Sequence, residues 1–261
     1  MILYFSGTGN SRHVALSLGN LLHQPVLSLT DTPVHEIKEA GRTLIMVFPV
    51  YSWGIPPLVA EYIRGFNDSL VEDIRKRDTA VIMVCTCGDE TAMAPEMFRD
   101  EWRKRGVDVK AVWSVTMPNN YVLLPGFDVD SNEIASKKLI DSASRIRHIA
   151  DSISAEAWKS DVVRGKWPRL KSRLIYPLFR RWGISPEKWH VSDSCVGCGL
   201  CVKACPVHNV RLESGRPVWG KDCVSCTACY HTCQVNAVSY WRMTKGKGQY
   251  MCHLKPIGSD S

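Results

Sequence analysis

Eight cysteines toward the C-terminal end constrain the fold of this chain more than any other feature of its sequence. They form two runs with the same spacing. Two residues separate the first cysteine from the second and the second from the third, and three residues separate the third from the fourth. Every cysteine of the second run lies 28 residues after its counterpart in the first, so the segment is an internal duplication. The first run is Cys195, Cys198, Cys201 and Cys205, and the second is Cys223, Cys226, Cys229 and Cys233.

The spacing within each run has a physical reason. Three cysteines that are two residues apart can curl around one face of an iron–sulfur cubane, but so tight a turn cannot supply the fourth ligand. Thiolates are soft donors that suit such clusters, and Gly197 and Gly199 let the backbone approach closely. We therefore expect each fourth ligand to come from the other repeat. One 4Fe–4S cluster is predicted on Cys195, Cys198, Cys201 and Cys233, and the other on Cys205, Cys223, Cys226 and Cys229.

Two other interpretations of the cysteines are weaker. Zinc sites with four cysteines use paired knuckles rather than triple runs. A disulfide framework belongs to oxidising compartments, whereas dense cysteines in a cytosolic chain more often bind metal. In the second repeat Gln234 stands where the first has Pro206, which removes a turn residue but no ligand.

The segment 189–242 closely resembles the two-cluster bacterial ferredoxins, because it carries both of these motifs. The resemblance implies electron transfer through two 4Fe–4S clusters. A domain of about 55 residues cannot bury much apolar surface. We therefore expect the clusters to act as its core and the domain to require iron in order to fold.

The N-terminal end has the pattern of a strand, a hydroxyl-rich loop and a helix. The apolar residues 1–5 precede Ser6-Gly7-Thr8-Gly9-Asn10-Ser11 and an amphipathic segment from Arg12 to His23. Such a loop places N–H groups and hydroxyls at a helix N-terminus, where anions bind. It lacks both the Gly-Lys-Ser/Thr of a Walker A loop and the G-x-G-x-x-G of a dinucleotide site. The loop therefore predicts a site for a phosphate monoester.

Further apolar runs alternate with helical patterns along the first half of the chain. The runs span residues 43–50, 79–85 and 109–117, and a long helix is predicted over 133–155. The alternation favours an α/β fold with a doubly wound parallel sheet, in which ligands bind beyond the carboxyl ends of the strands. The loops at those ends offer aromatic rings and backbone amides, at residues 49–56, 86–90 and 118–121.

Together these loops resemble those of flavodoxins over roughly residues 1–155, and the resemblance implies bound FMN. It assigns the FMN phosphate to Ser6, Thr8, Gly9, Asn10 and Ser11. It places Tyr51, Ser52, Trp53 and Gly54 beside the isoalloxazine ring, and Thr86, Cys87, Gly88 and Asp89 at the polar edge of that ring. The candidates for an aromatic side chain on the flavin face are Tyr51, Trp53 and Tyr121.

Simpler interpretations of these residues stay open at this point. The loop could serve only as a helix cap, although capping needs a single Ser or Thr. Cys85 has the character of a small buried hydrophobe, whereas Cys87 near the flavin could be a redox-active thiol.

Two remaining segments are assigned as a basic and aromatic connector, residues 156–188, and a polar tail, residues 243–261. The aromatic residues of the connector are expected to pack between the domains while its basic heads stay in water. Peripheral contact with a membrane surface, or docking of an acidic protein or RNA, is the alternative. The formal net charge is +7. Anionic clusters and the FMN phosphate would offset most of it, so nucleic acid is not expected as a partner.

No stretch of the sequence approaches the roughly 18–20 apolar residues of a transmembrane segment. The N-terminal residues also lack the pattern of a signal peptide. The expected location is therefore the cytoplasm.

The order of the two domains resembles the flavodoxin–ferredoxin fusion family over nearly the full chain. The resemblance implies an electron-transfer protein that passes electrons between two 4Fe–4S clusters and bound FMN, with redox proteins as partners. The alternative is a flavin-dependent reductase of a quinone, a nitro compound or a similar acceptor, for which Tyr51, Asp89 and Tyr121 are the available proton donors. No nicotinamide fingerprint is present, and no sequence feature favours a third function, that of a redox sensor.

Overall fold

Five parallel strands build the N-terminal half of the chain in the computed structural model, which describes residues 1–183 and 185–259. The strands are β1 (Ile2–Tyr4), β2 (Val26–Ser28), β3 (Thr43–Pro49), β4 (Ala80–Cys87) and β5 (Val109–Thr116). Their order in the sheet is β2-β1-β3-β4-β5. This is the doubly wound order of the flavodoxin-like fold, and it confirms the predicted fold class. The sequence analysis missed β2, which is three residues long and only half-buried.

Helices cover both faces of this sheet. They are α1 (Asn10–Leu22), α2 (Pro57–Arg64), α3 (Asp68–Lys76), α4 (Ala94–Arg103) and α5 (Asn132–Ser154). The first and last pack on the face to which Ile45 belongs, and the other three pack on the face to which Leu44 belongs. Because both faces are covered, the central residues of β3 are all buried and the strand is a continuous apolar run.

The C-terminal half adds two small antiparallel sheets and two short helices. In the sheets, β6 (Trp189–Val191) pairs with β9 (Val238–Tyr240), and β7 (Val210–Glu213) pairs with β8 (Arg216–Trp219). The helices are α6 (Leu200–Lys203) and α7 (Ala228–His231). Each helix contains the third cysteine of one run, so each cysteine loop ends in a helical turn.

The duplication in the sequence is also present in the backbone. Left-handed φ angles recur at equivalent positions, namely Gly197, Gly199 and His208 in the first repeat and Ser225, Thr227 and Asn236 in the second. Glycine adopts such angles without strain, whereas Ser225 and Thr227 adopt them at some cost. The two cysteine loops therefore share one backbone shape despite their different residues.

The connector is packed along its length. Its first part lies beside β5, where the Asp161 N–H donates to the Val112 carbonyl at 3.0 Å. Its second part is a continuous helix over residues 168–183, here called the connector helix, in which α turns alternate with π turns. Tyr176 and Phe179 are buried, whereas Trp167 is 74% exposed. The connector therefore buries some of its aromatic rings and presents at least one to solvent.

The tail returns to the first domain and packs along α1. The N–H of Ile257 donates to Ser17 Oγ at 2.9 Å, and the N–H of Cys252 donates to the Thr8 carbonyl at 2.8 Å. Residues 260–261 of the tail and residue 184 of the connector lie outside the described residues. Within the described part of the chain, no helix has the length and apolar character needed to cross a membrane.

Candidate cofactor sites

A cleft opens at the carboxyl ends of the parallel strands. Together with the open space at its mouth, it holds about 1140 Å³. Most of the predicted FMN residues line it, namely Ser6, Thr8, Asn10, Ser11, Tyr51, Ser52, Trp53, Thr86, Cys87, Gly88 and Asp89. The other two, Gly9 and Gly54, do not line the cleft and have structural roles described below.

The loop between β1 and α1 presents unpaired hydrogen-bond donors to this cleft. Gly9 is the N-cap of α1 with φ 98°, and the first turn carries neither a capping side chain nor an acidic residue. In the described structure, the N–H groups of residues 10–12 have no protein acceptor. Ser6 Oγ accepts from the Gly9 N–H at 3.2 Å, which leaves the Ser6 hydroxyl proton free to be donated. These donors at a helix N-terminus suit a phosphate group.

The turn after β3 is tight and strained. Tyr51 and Gly54 exchange two backbone hydrogen bonds of 2.9 Å, and Ser52 and Trp53 between them both have positive φ. This is the geometry of a type I′ turn, here built without glycine at either central position. A Cβ at Gly54 would lie 2.4 Å from the ring of Tyr176. The missing side chain at Gly54 thus makes room for the connector helix.

Side chains of the connector helix hold this turn in place. Ser172 Oγ donates to the Trp53 carbonyl at 2.6 Å, and the Tyr176 hydroxyl donates to the Ile55 carbonyl at 2.5 Å. Lys171 pairs with Glu90, which also accepts from Trp53 Nε1 at 2.7 Å. The connector helix is therefore part of the wall of the cleft. Sequence analysis missed this, because no motif marks Glu90 or Ser172.

A row of aromatic rings lines the outer wall of the cleft. Edge-to-face contacts run from Tyr51 through Phe179 and Tyr121 to Phe127, with centroid distances of 5.8 to 6.4 Å. Burial raises the pKa of the Tyr51 and Tyr121 phenols, and nearby Cys226 raises the pKa of Tyr51 further. Both phenols therefore stay protonated at neutral pH. All three sequence candidates for ring contact line the cleft, and Phe179 and Phe127 join them without any signal in the sequence.

The segment after β4 supplies a polar edge to the cleft. Asp89 accepts from Asn119 Nδ2 at 3.2 Å and from Lys138 Nζ at 3.3 Å. A Cβ at Gly88 would lie 1.6 Å from Asn119 Oδ1, so only glycine allows this approach. Burial, together with the Asp89 carboxylate, raises the pKa of Cys87 to about 12. Its thiol therefore stays protonated and is a poor nucleophile.

Four cysteines from both repeats line one small cavity in the C-terminal half. They are Cys205, Cys223, Cys226 and Cys229, and the cavity holds about 290 Å³ of space. Burial, together with the nearby Cys223 and Cys205, raises the pKa of Cys226 to about 12. In the remaining group, burial raises the pKa of Cys201, and Cys233 and Cys195 add to the effect. Cys205 beside the second run, and Cys233 beside Cys195 and Cys201, are pairings that crosswise sharing of ligands between the repeats requires.

Buried donors surround the sulfurs of this cavity. The indole nitrogens of Trp189 and Trp219 are buried without a full hydrogen bond in the described structure. The Trp189 nitrogen nevertheless lies near the Cys223 sulfur, and the Trp219 nitrogen lies near the Cys229 sulfur. Each opposes the rise in the pKa of that cysteine which burial causes. Such N–H groups stabilise the negative sulfurs of a cluster. The cavity therefore fits a 4Fe–4S cluster in both its ligands and its surrounding donors.

Backbone donors repeat the same pattern at the fourth cysteine of each run. The N–H groups of Asn209 and Ala237 donate to the sulfurs of Cys205 and Cys233, both at 3.2 Å. None of the eleven cysteines forms a disulfide. Across residues 1–183 and 185–259, no three His, Cys, Asp or Glu side chains converge tightly enough to hold a single metal ion. The sulfurs are thus arranged around a space rather than around one point.

The cleft and the cavity share a wall. Residues 225–227 of the second cysteine loop line the cleft, and Cys226 lines both spaces. A Cβ at Gly7 would lie 2.6 Å from the Cys226 carbonyl oxygen and 2.8 Å from its Cβ. The absence of a side chain at Gly7 therefore lets the loop between β1 and α1, here called the phosphate loop after its expected ligand, lie directly against the cysteine loop.

The tail and α7 brace the phosphate loop from the other side. The Tyr250 hydroxyl donates to Asn10 Oδ1 at 2.8 Å, and the Tyr250 N–H donates to His231 Nδ1 at 3.1 Å. His231 Nε2 then donates to the Asn120 carbonyl at 2.7 Å. Burial lowers the pKa of His231 to about 4, so the ring is neutral and this tautomer is fixed. Sequence analysis missed Tyr250, because nothing in the tail resembles a motif.

Comparisons with known proteins agree with the cysteine assignment at a coarse level. The sequence profile of the 4Fe–4S binding domain family matches residues 189–210, which contain the first cysteine run. No curated protein matches the chain. Among solved structures, the chain is similar to rubredoxin oxygen:oxidoreductase from the anaerobe Desulfovibrio gigas, with 15% identity and a TM-score of 0.39 over 60% of this chain and 36% of that one.

A flavodoxin from the domain Archaea is also similar, with 16% identity and a TM-score of 0.34 over 56% of this chain and 97% of that one. The flavodoxin-like fold rests on the strand order of the sheet and not on these two similarities.

Proposed function

We propose that this chain, in which a flavodoxin-like domain precedes a 4Fe–4S ferredoxin-type domain, passes electrons between two 4Fe–4S clusters and a bound FMN. The observation that carries the proposal is the wall shared by the cleft and the four-cysteine cavity, to which Cys226 contributes on both sides. Clusters exchange single electrons and flavin holds one or two, so the pair supplies storage and pairing of electrons.

The two cysteine groups differ in exposure, which gives the proposed path a direction in space. Cys226 lies in the wall of the cleft and Cys229 is buried. In contrast, Cys198 is exposed, and the nearby Val196 is 68% exposed. A redox partner protein would therefore meet the first cysteine run at the surface. The second run would stand between that surface and the cleft.

Cofactor content is the direct test of the proposal. Protein purified without oxygen is expected to contain about eight irons and eight sulfides from its ligand count, together with one FMN. Protein that lacks flavin and does not take up added FMN would refute the role assigned to the N-terminal half. Zinc in place of iron would refute the role assigned to the cysteines.

The phosphate loop gives a second prediction. Gly9→Ala is expected to lower the affinity for FMN by about tenfold or more, because a left-handed alanine costs about 1–2 kcal/mol and 1.4 kcal/mol is tenfold. The added Cβ would also lie 2.6 Å from the Cys252 carbonyl oxygen. Titration of flavin-free protein with FMN measures the change.

Gly41→Ala is the matched control. Gly41 has φ 70°, and no atom lies within 4 Å of its added Cβ, so the variant carries similar backbone strain away from the cleft. It should lose stability but bind FMN as the unsubstituted protein does. An equal loss of FMN affinity in both variants would mean that the phosphate is held elsewhere.

The indole donors give a third prediction. Trp219→Phe is expected to lower the midpoint potential of the cluster on the second run by about 40 mV. The reason is that the indole N–H near the Cys229 sulfur attracts negative charge and so favours the more negative reduced cluster. Loss of an attraction worth about 1 kcal/mol shifts a one-electron potential by that amount. Anaerobic redox titration followed by electron paramagnetic resonance measures the shift. Trp241→Phe, at a ring that is 56% exposed, should leave the potential unchanged.

A flavin-dependent reductase is the second candidate function, and the exposed rim of the cleft favours it. Phe127 is 40% exposed and Leu124 is 36% exposed at the mouth, so a flat apolar acceptor could approach. Steady-state reduction of a quinone with saturation kinetics would support this activity. Fast and unselective exchange with any low-potential dye would support the carrier instead.

A further inference from the structure

The connector helix carries an apolar stripe on its outward face. Leu170, Leu174 and Leu178 are 55%, 54% and 43% exposed, and Trp167 precedes them at 74%. The leucines are four residues apart, and in a helix that mixes α and π turns this spacing keeps them on one side. In the described part of the chain, no core cluster includes them.

The opposite face of the same helix is firmly anchored. Ser172, Tyr176 and Phe179 are buried against the wall of the cleft, and the first two donate hydrogen bonds to the turn after β3. Because these contacts fix the rotation of the helix, the leucines cannot turn inward without opening the cleft. The stripe is therefore a permanent surface of this fold.

Positive charge flanks the stripe. No acidic residue occurs between Asp161 and Glu187. The inward-facing Lys171 is neutralised by Glu90, whereas the exposed Arg169 and Arg173 form no ion pair within the described residues. Long basic side chains beside an apolar stripe can extend outward while their stems cover apolar surface.

We propose that the connector helix docks this protein on the surface of an anionic lipid bilayer, with the leucine stripe inserted among the acyl chains and the arginines at the headgroups. An amphipathic helix with leucine and tryptophan on one face and basic residues beside them is typical of such interfacial binding. An acidic protein would match the charge. It would not need three exposed leucines in line along the helix, whereas a bilayer uses both the positive charge and the apolar stripe.

The location of this helix gives the docking a consequence. Phe179 of the same helix lines the cleft. Binding at a bilayer would therefore hold the cleft close to the membrane surface and to redox components dissolved in it.

Flotation of the intact protein with lipid vesicles tests the proposal. The protein should float with vesicles of phosphatidylcholine and phosphatidylglycerol and stay in solution with phosphatidylcholine alone. Leu174→Glu should reduce the bound fraction by about tenfold or more, because it places a charge in the stripe. Arg173→Glu should reduce binding and weaken its dependence on salt.

Ile140→Glu is the matched control, because Ile140 is 72% exposed on α5, outside the connector helix. It should bind vesicles like the unsubstituted protein. Unchanged flotation of Leu174→Glu would overturn the proposal, and so would an equal loss with Ile140→Glu. Failure of the unsubstituted protein to float, while a soluble acidic polypeptide such as polyglutamate retains it, would assign the surface to an acidic protein instead.

Discussion

Removal of iron is expected to unfold residues 189–242 while the five-stranded sheet stays folded. The core of the C-terminal half contains three of the proposed cluster ligands, Cys201, Cys205 and Cys229, among few large apolar side chains. A domain of this size has little other apolar surface to bury, so its folding free energy depends on the metal. The β strands of the first domain have their own cores on both faces of the sheet.

Hydrogen exchange with anaerobic chelation measures this difference. Peptides from β6 to β9 should lose all protection, whereas peptides from β3 and β4 should keep theirs. Cys252→Ser serves as the control, because Cys252 is in neither cysteine run and its variant should respond to chelation like the unsubstituted protein. Protection that survives in β6 to β9 after complete iron removal would show that the domain folds without its clusters.

Gly7→Ala is expected to separate the two cofactor sites. The added methyl would lie 2.6 Å from the Cys226 carbonyl oxygen, so one of the two loops has to move. Overpacking of this kind costs about 1–3 kcal/mol, which raises the population of separated arrangements by about 5- to 150-fold. Electron exchange between the sites should slow accordingly while iron content stays unchanged.

Anaerobic stopped-flow reduction measures the exchange rate in this variant. Gly65→Ala is the control, since the nearest atom to its added methyl is in the Val34 side chain, at 3.1 Å, outside the cleft. An unchanged rate in Gly7→Ala, with both cofactors present, would mean that electrons leave the clusters by another route.

The parts that sequence could predict are those with a local physical signature. The strands of the sheet are apolar runs because both faces are covered, and α5 begins at a serine whose hydroxyl accepts from the Ile134 N–H at 3.4 Å. The cysteine groups followed from spacing and duplication alone. The phosphate loop was recognisable because its hydroxyls and glycines lie in one short stretch.

The parts that sequence could not predict depend on contacts between distant segments. Phe179 lines the cleft only because Tyr176 and Ser172 anchor the connector helix to the turn after β3. Gly54 does not line the cleft, and its missing side chain accommodates Tyr176, which is 122 positions away in the chain and gives no local signal. Val26–Ser28 was missed because three half-buried residues give no periodicity to detect.

If the proposed clusters and FMN are bound, the brace formed by the tail makes retention of the flavin depend on the iron. Gln249 Nε2 donates to the carbonyls of Tyr230 and Cys233, at 2.5 and 2.9 Å, so the tail is fastened to the second cysteine run just before it reaches Asn10 through Tyr250. Damage to the clusters by air would release this fastening and loosen the loop around the phosphate. Protein handled in air is therefore expected to lose the yellow colour of the flavin together with the brown colour of the clusters. A colourless preparation would then be evidence of oxidation and not of a chain that never bound flavin.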